Sequence, residues 1–171
     1  MSKFVAFLRG VNVGGKTVPM KVLTEELEKT GYSNVRTLLA SGNVIFESDK
    51  SDLVQHEQKI QDVIKQSFGF NVVVQVRNID EIKQLVEENP FENQKADKDF
   101  HWYVTFLNNP VNELPDSNSG FFELLSISHN TVFSILNKTK GKTTDFMTYM
   151  DKQFGKEVTT RNWNTILKVI K

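Results

Sequence analysis

Apolar positions along the chain fall into short unbroken runs and longer, spaced stripes. Phe4 to Leu8 is a run bounded by Lys3 and Arg9-Gly10, the length of a strand. After the glycine-containing loop VNVGGKT (residues 11–17), Val18-Pro19-Met20 opens a helix with proline near its first turn, where the missing N–H costs nothing. Met20, Leu23 and Leu27, with Val22, form that helix's stripe, and Gly31 ends it. Asn34 to Ala40 reads as a second strand, Ser41-Gly42 as a tight turn, and Asn43 to Phe46 as the start of a third. Ser51 or Asp52 caps a second helix with Leu53, Val54, Ile60, Val63 and Ile64 on its apolar side. Gly69 ends it, and valine-rich Asn71 to Val76 is a fourth strand.

This order, β-α-β-β-α-β, is the split βαβ arrangement of a ferredoxin-like plait, completed by residue 78. The pattern then pauses. Residues 79–90 form a short amphipathic helix stopped by Pro90, and residues 91–100 are a polar linker. Strands at Trp102–Leu107, Phe121–Ser128, Thr131–Asn137 and Glu157–Thr160 follow. Between the first two of these, residues 110–120 leave room for at most one helical turn. A helix over 144–154 precedes the last strand, and a final helix runs over 162–170. The expected fold is α+β: two ferredoxin-like (βαββαβ) plaits packed as a pseudo-dimer, with an extra C-terminal helix. The expected domains are 1–78, a connecting helix and linker at 79–100, and 101–171, with no residue-level repeat between the halves. In the first strand Phe4, Ala6 and Leu8 face one way and Val5 and Phe7 the other, so both sheet faces need cover.

Composition narrows the function. The 171 residues carry 21 Lys+Arg against 21 Asp+Glu, and a net charge of zero argues against nucleic acid as a bulk electrostatic partner. With no cysteine, disulfides, thiol nucleophiles and cysteine-held metals are excluded. His56, His101 and His129 share no metal-ligand spacing, so neither metal nor cofactor is expected, and His56 reads as a solvated side chain. No apolar stretch is long enough for a membrane span or a secretory signal, which points to the cytoplasm.

The sharpest motif is Gly10-Val-Asn-Val-Gly14-Gly15-Lys16-Thr17, which spells the P-loop pattern G-x-x-x-x-G-K-[ST] after a strand and before a helix. Against a P-loop stand the missing strand-end aspartate for magnesium, the Ser41-Gly42 hairpin where crossovers belong, and Pro19 just after Thr17. Topology suggests a broader site. The first two strands run parallel, which brings Arg9, Asn12, Gly14, Gly15 and Lys16 towards Ser41, Gly42 and Asn43. Cations, small polar side chains and a helix start together suit a small anionic or phosphorylated ligand. The plain alternative is that the glycines serve turns and the polar groups satisfy loop backbone. A secondary candidate is Thr160, Arg161, Asn162 and Trp163: Thr160 or Asn162 caps the last helix, Arg161 can meet an anion, and Trp163 anchors the core or stacks a base. An RNA-recognition module shares the element order; in the first half its third-strand stacking positions hold Asn43 and Ile45 and fail, while the second half, with Trp102 and Tyr103 on its first strand and Phe133 on its third, speaks against it less strongly.

The segments FLRGVNVGGKTVPM, NVRTLLASGNVIFES and TTRNWNTILK resemble an uncharacterised, mostly bacterial family, the domain of unknown function 1697. The resemblance covers nearly the whole chain, with its pattern falling on Leu8–Gly15, Ser41–Phe46 and Thr159–Thr165. It implies a two-lobed α+β protein of the bacterial cytoplasm and carries over no catalytic residue. The family often has Asn where Thr17 stands, so the Walker-like spelling reads as incidental. Three readings follow: a binding protein for a small anionic or phosphorylated ligand, a phosphotransferase or NTPase clamping phosphate with Lys16, or a protein-interaction module whose loops are purely structural. The sequence assigns neither an enzymatic step nor an oligomeric state.

Overall fold

A computed structural model describes residues 1–95, 97–117 and 119–171. The linker expected over 91–100 and the turn-rich stretch 110–120 include Ala96 and Asn118, which lie outside the described residues. Among the described residues the fold is α+β, with two four-stranded antiparallel sheets and five helices. The chain divides into two compact units, Met1–Lys83 with Lys168–Lys171, and Gln84–Leu167.

The first unit contains β1 (Ser2–Arg9), α1 (Met20–Lys29), β2 (Ser33–Leu38), β3 (Asn43–Ser48), α2 (Leu53–Phe68) and β4 (Val73–Asn78), with strand order β2-β3-β1-β4. The third strand lies between the first and second, as expected, and is antiparallel to both. β1 and β2 therefore run the same way and end, at Arg9 and Leu38, on the same side of the sheet. Strand alternation puts Phe4, Ala6 and Leu8 on one face, where they pack with Leu23, Leu27, Ile60 and Ile64. Burying a side chain of this size contributes roughly 1.5–3 kcal/mol. The Asp52 carboxylate caps α2 by accepting the Gln55 N–H at 3.1 Å, and Gly69 ends it with φ 84°.

Three expectations about side chains are corrected here. Val22 and Val54 lie outside the buried stripes and are exposed, Val54 at 72%. The α2 stripe runs Leu53, His56, Ile60, Val63, Ile64, steps of three and four, and Val54 is out of phase with it. His56 is in phase, and it is buried at 2% exposure rather than solvated. Its Nε2 lies 2.9 Å from the Lys50 carbonyl, which can only accept, so Nε2 carries the proton. Nδ1 then accepts from the Tyr32 hydroxyl at 2.9 Å. Rings of Phe4 and Phe46 enclose the pair. Burial pushes the Tyr32 phenol up to about 12.

α3 (Ile79–Glu88) follows β4 directly. The second unit then builds β5 (Phe100–Phe106), β6 (Phe122–Ser128), β7 (Thr131–Asn137), α4 (Thr143–Phe154) and β8 (Thr159–Asn162), with order β6-β7-β5-β8. Its β8 lies two residues beyond the expected strand and runs straight into α5 (Trp163–Val169). Phe146 and Met150 of α4 pack on Tyr103, Val132 and Leu136.

Contrary to expectation, a residue-level repeat links the two units. Arg77 stands opposite Val5, and Arg161 opposite Val104. Each guanidinium donates through Nη1 to the carbonyl of the residue before it, Val76 at 2.9 Å and Thr160 at 3.0 Å. Each is followed by an asparagine whose Oδ1 accepts an N–H two residues on, Asn78 from Asp80 and Asn162 from Asn164, both at 2.9 Å. Strand, arginine, capping asparagine and helix recur in one spatial pattern. An arginine and an asparagine separated by half the chain are too little for the sequence alone to reveal it.

Candidate functional site

The structure brings the loop after β1 and the β2–β3 connection together. The Leu8 N–H donates to the Gly42 carbonyl at 2.8 Å. Asn12 Nδ2 donates to the Ala40 carbonyl at 2.7 Å, and Asn12 Oδ1 accepts the Val18 N–H at 2.8 Å. Asn43, fully buried, donates to the Leu38 carbonyl at 2.7 Å and to Ser41 Oγ at 3.1 Å. Arg9 and Gly42 also have partners. Of the eight residues singled out in these loops, the asparagines act as fasteners between segments, which is the structural role weighed above.

The P-loop spelling describes a hairpin rather than a phosphate cradle. The Lys16 N–H donates to the Val13 carbonyl at 3.1 Å, and the Asn12 N–H to the Lys16 carbonyl at 2.7 Å. Gly14 and Gly15 between them have φ 57° and 81°, as a two-residue turn of the primed type requires. A cradle needs its backbone N–H groups aimed at a ligand and a helix starting at once. Here the Lys16 N–H is spent on the turn, and α1 begins only at Met20, after Pro19. The Lys16 side chain is exposed, with its Nζ 5.8 Å from the Phe70 ring centre.

Of the secondary candidates, Asn162 and Trp163 line a cavity in the second unit, and Thr160 and Arg161 do not. Thr160 Oγ1 is hydrogen-bonded to Thr105 Oγ1 at 2.8 Å. Burial pulls the Arg161 guanidinium down to about 10, and its bond to the Thr160 carbonyl marks it as part of the strand's architecture. Trp163 is buried at 5% exposure, as expected of an anchor. It also lines a cavity of about 310 Å³ together with Asn162 and Asn164. The opposite wall is Asp97, Lys98, Phe100, His101 and Trp102.

The sheet register explains this meeting. Tyr103 pairs with Asn162, so one step further Trp102 comes level with Trp163. Phe91 packs between them, stacked on Trp102 at 5.1 Å and 5°, and edge-on to Trp163 at 5.1 Å. Trp102 Nε1 is closed off from water and has no hydrogen-bond partner. Partial burial, with a smaller push from Lys138, lowers the His101 pKa and so favours the neutral ring. Asp97, Lys98, Phe100 and His101 are not candidate site residues in the sequence, Trp102 enters there only as a stacking position, and Asn164 only as a neighbour of Trp163. The signal available was that the chain has two tryptophans, one at the start of a strand and one after its pairing partner.

Among the described residues no group of three or more His, Asp or Glu side chains is placed to hold a metal. No described helix is long and apolar enough to cross a membrane.

The chain is similar over 98% of its length, and over 96% of the other chain's, to the structure of the conserved bacterial protein SP0830 from Streptococcus pneumoniae, with a TM-score of 0.71 and 22% identity. That likeness is one of fold. No curated protein matches the chain. Residues 1–118 match the family described as a protein of unknown function, DUF1697, and cover the hairpin, the β2–β3 connection and one wall of the cavity. The chain belongs to the DUF1697 family.

Proposed function

We propose that this protein binds a small ligand and that the cavity lined by His101, Trp102, Trp163 and Asn164 is its site. The observation that carries the reading is an open cavity of about 310 Å³ whose lining combines aromatic rings with a few amide, imidazole and charged groups. Ligand sites have this make-up and start at about this size. Lys98 at the rim, with Lys138 near His101, supplies the positive charge that an acidic or phosphorylated ligand would meet. The loop cluster of Arg9, Gly14, Gly15 and Lys16 is the second reading, supported by the exposed Lys16 ammonium. We also read the first unit as a ferredoxin-like plait, on the strength of its β-α-β-β-α-β order; the second, expected as another, keeps the strand order but has no helix between β5 and β6 among the described residues.

The test is a thermal-shift screen of small aromatic acids, sugar phosphates and inorganic phosphate against the wild type, Asn164→Ala and Lys16→Ala. Both altered side chains are exposed, so the unliganded proteins should melt together. Stabilisation lost in Asn164→Ala and kept in Lys16→Ala supports the cavity. The reverse moves the site to the loop. No stabilisation by any compound favours the interaction-module reading.

A further inference from the structure

Phe100 belongs to two cavities. It lines the one described above and also a second, of about 500 Å³, on the β6 side of the same unit. The apolar wall of the second is Phe100, Phe121, Phe122 and Ile135. Phe121 is fixed in place there. Its carbonyl accepts the Asn137 N–H at 2.7 Å, and its ring lies so close to Gly141 that a methyl on that glycine would sit 2.1 Å from it. A wall already held in place spares a ligand the cost of ordering it.

The sheet sets the distance between the two cavities. The first borders β5 and the β8–α5 junction, and the second borders β7 and β6. With the strand order β6-β7-β5-β8 they lie two strand spacings apart, about 9.4–9.8 Å. Phe100, 40% exposed, is the wall they share. A polyproline II chain has three residues per turn, so residues i and i+3 fall on one side about 9.3 Å apart. Laid across the strands, such a chain puts one ring in each cavity with Phe100 between them. A β-strand ligand would place its same-side residues only about 6.6–6.8 Å apart.

The polar groups agree with that spacing. Proline has no N–H, so a proline-rich chain offers carbonyl acceptors and few donors. Asn137 Oδ1 is taken by the Thr139 N–H and Oγ1, at 3.0 and 2.7 Å, which leaves the amide nitrogen as the group to donate. Lys140 in the second cavity, and Lys98 and Asn164 in the first, add further donors. Each cavity also sets one carboxylate, Asp97 or Glu123, against its one ammonium. That balance suits a neutral chain or one ending in a single carboxylate. A polynucleotide would bring negative charge onto a carboxylate in either cavity.

We infer that the two cavities form one groove across the sheet and that it takes a short proline-rich peptide in the polyproline II conformation, with rings three residues apart on either side of Phe100. The inference rests on the reading of the first cavity as a binding site. Aromatic-lined grooves seat such chains because the helix is formed before it binds and loses little entropy.

The experiment is a titration of the ¹⁵N-labelled protein with decaproline, a glycine–serine decamer and a decauridylate, read from backbone amide shifts. Decaproline should give saturable shifts at Asn164 in the first cavity and at Glu123 and Asn137 in the second. The other two chains should bind at least about tenfold more weakly. Glu123→Trp, exposed and opposite Ile135, puts an indole into the second cavity, and Asn164→Trp, also exposed, puts one into the first. Each should weaken decaproline about tenfold. If only Asn164 responds and Glu123→Trp has no effect, the ligand stops at Phe100; the spanning groove is then refuted and the first cavity stands. If decaproline moves nothing but a compound from the thermal-shift screen moves Asn164, the peptide class is wrong and the first cavity again stands. Shifts confined to Glu123 and Asn137, or no shift with any of these probes, would overturn the inference and the reading of the first cavity together. Equal binding of the glycine–serine decamer or of decauridylate would refute recognition of the polyproline helix. The wild-type spectra decide these outcomes even where a variant folds poorly.

Discussion

Gly42 and Gly15 have nearly the same backbone angle, φ 80° and 81°, in opposite surroundings. A methyl group on Gly15 would meet nothing within 4 Å. On Gly42 it would sit 2.4 Å from Val11 Cγ2 and 2.9 Å from Leu8 Cβ. Alanine in the left-handed region costs about 1–2 kcal/mol at either position. Forcing a methyl into a filled space adds about 1–3 kcal/mol at Gly42 alone. Gly15→Ala should therefore cost about 1–2 kcal/mol, and Gly42→Ala about 2–5 kcal/mol. The assay is urea unfolding of the three proteins by circular dichroism, comparing midpoints at a common slope. Because both residues pay the same conformational penalty, the difference between them measures how closely the β2–β3 connection rests on β1. Equal losses would refute that close packing. A loss at Gly15 larger than at Gly42 would show that the Gly14-Gly15 tip does more than turn the chain.

Other perturbations test separate parts of the structure. Folding raises the Tyr32 pKa from 10 to about 12, so folding favours the protonated phenol; its contribution is complete below pH 10 and is lost as pH rises through 12. Alkaline unfolding should show a loss of about 2–3 kcal/mol over that window, absent in Tyr32→Phe. Trp163→Ala should cost roughly 3–5 kcal/mol by urea unfolding, because the ring is buried against Phe91 and Phe133. Lys16→Ala should leave stability within about 0.5 kcal/mol of wild type, since its ammonium is exposed and sits at the far limit of a cation–π contact. A larger loss would mean that the hairpin depends on this side chain.

Periodicity carried most of the architecture. The β-α-β-β-α-β order and the place of the third strand were readable because strands alternate and helices step by three and four, and both signals are local. His56 was misread for a related reason: its residue type suggested water, while its position in the Leu53–Ile64 stripe indicated burial. Position outweighs type when a Tyr32 hydroxyl and a Lys50 carbonyl wait at the two ring nitrogens. The hairpin was half legible. Its glycines announced a turn, but only the Lys16 N–H partner distinguishes a turn from a cradle. The cavity was least legible because it joins residues about 60 positions apart through a strand register, and single-sequence patterns contain no register between distant strands.

The direct passage from strand to helix, at Asn78–Ile79 and again at Asn162–Trp163, has a consequence for how chain length can vary. Each asparagine ends one element and caps the next, so these junctions hold no slack. One inserted residue would turn everything after it by about 100° around the helix axis. Ile79, Ile82 and Leu85 would leave their buried side together, as would Trp163, Ile166 and Val169. The connection between β5 and β6 is fifteen residues long and can absorb additions with little cost in closure entropy. Insertions and deletions among relatives should therefore collect between β5 and β6, while both strand–helix junctions keep their length to the residue.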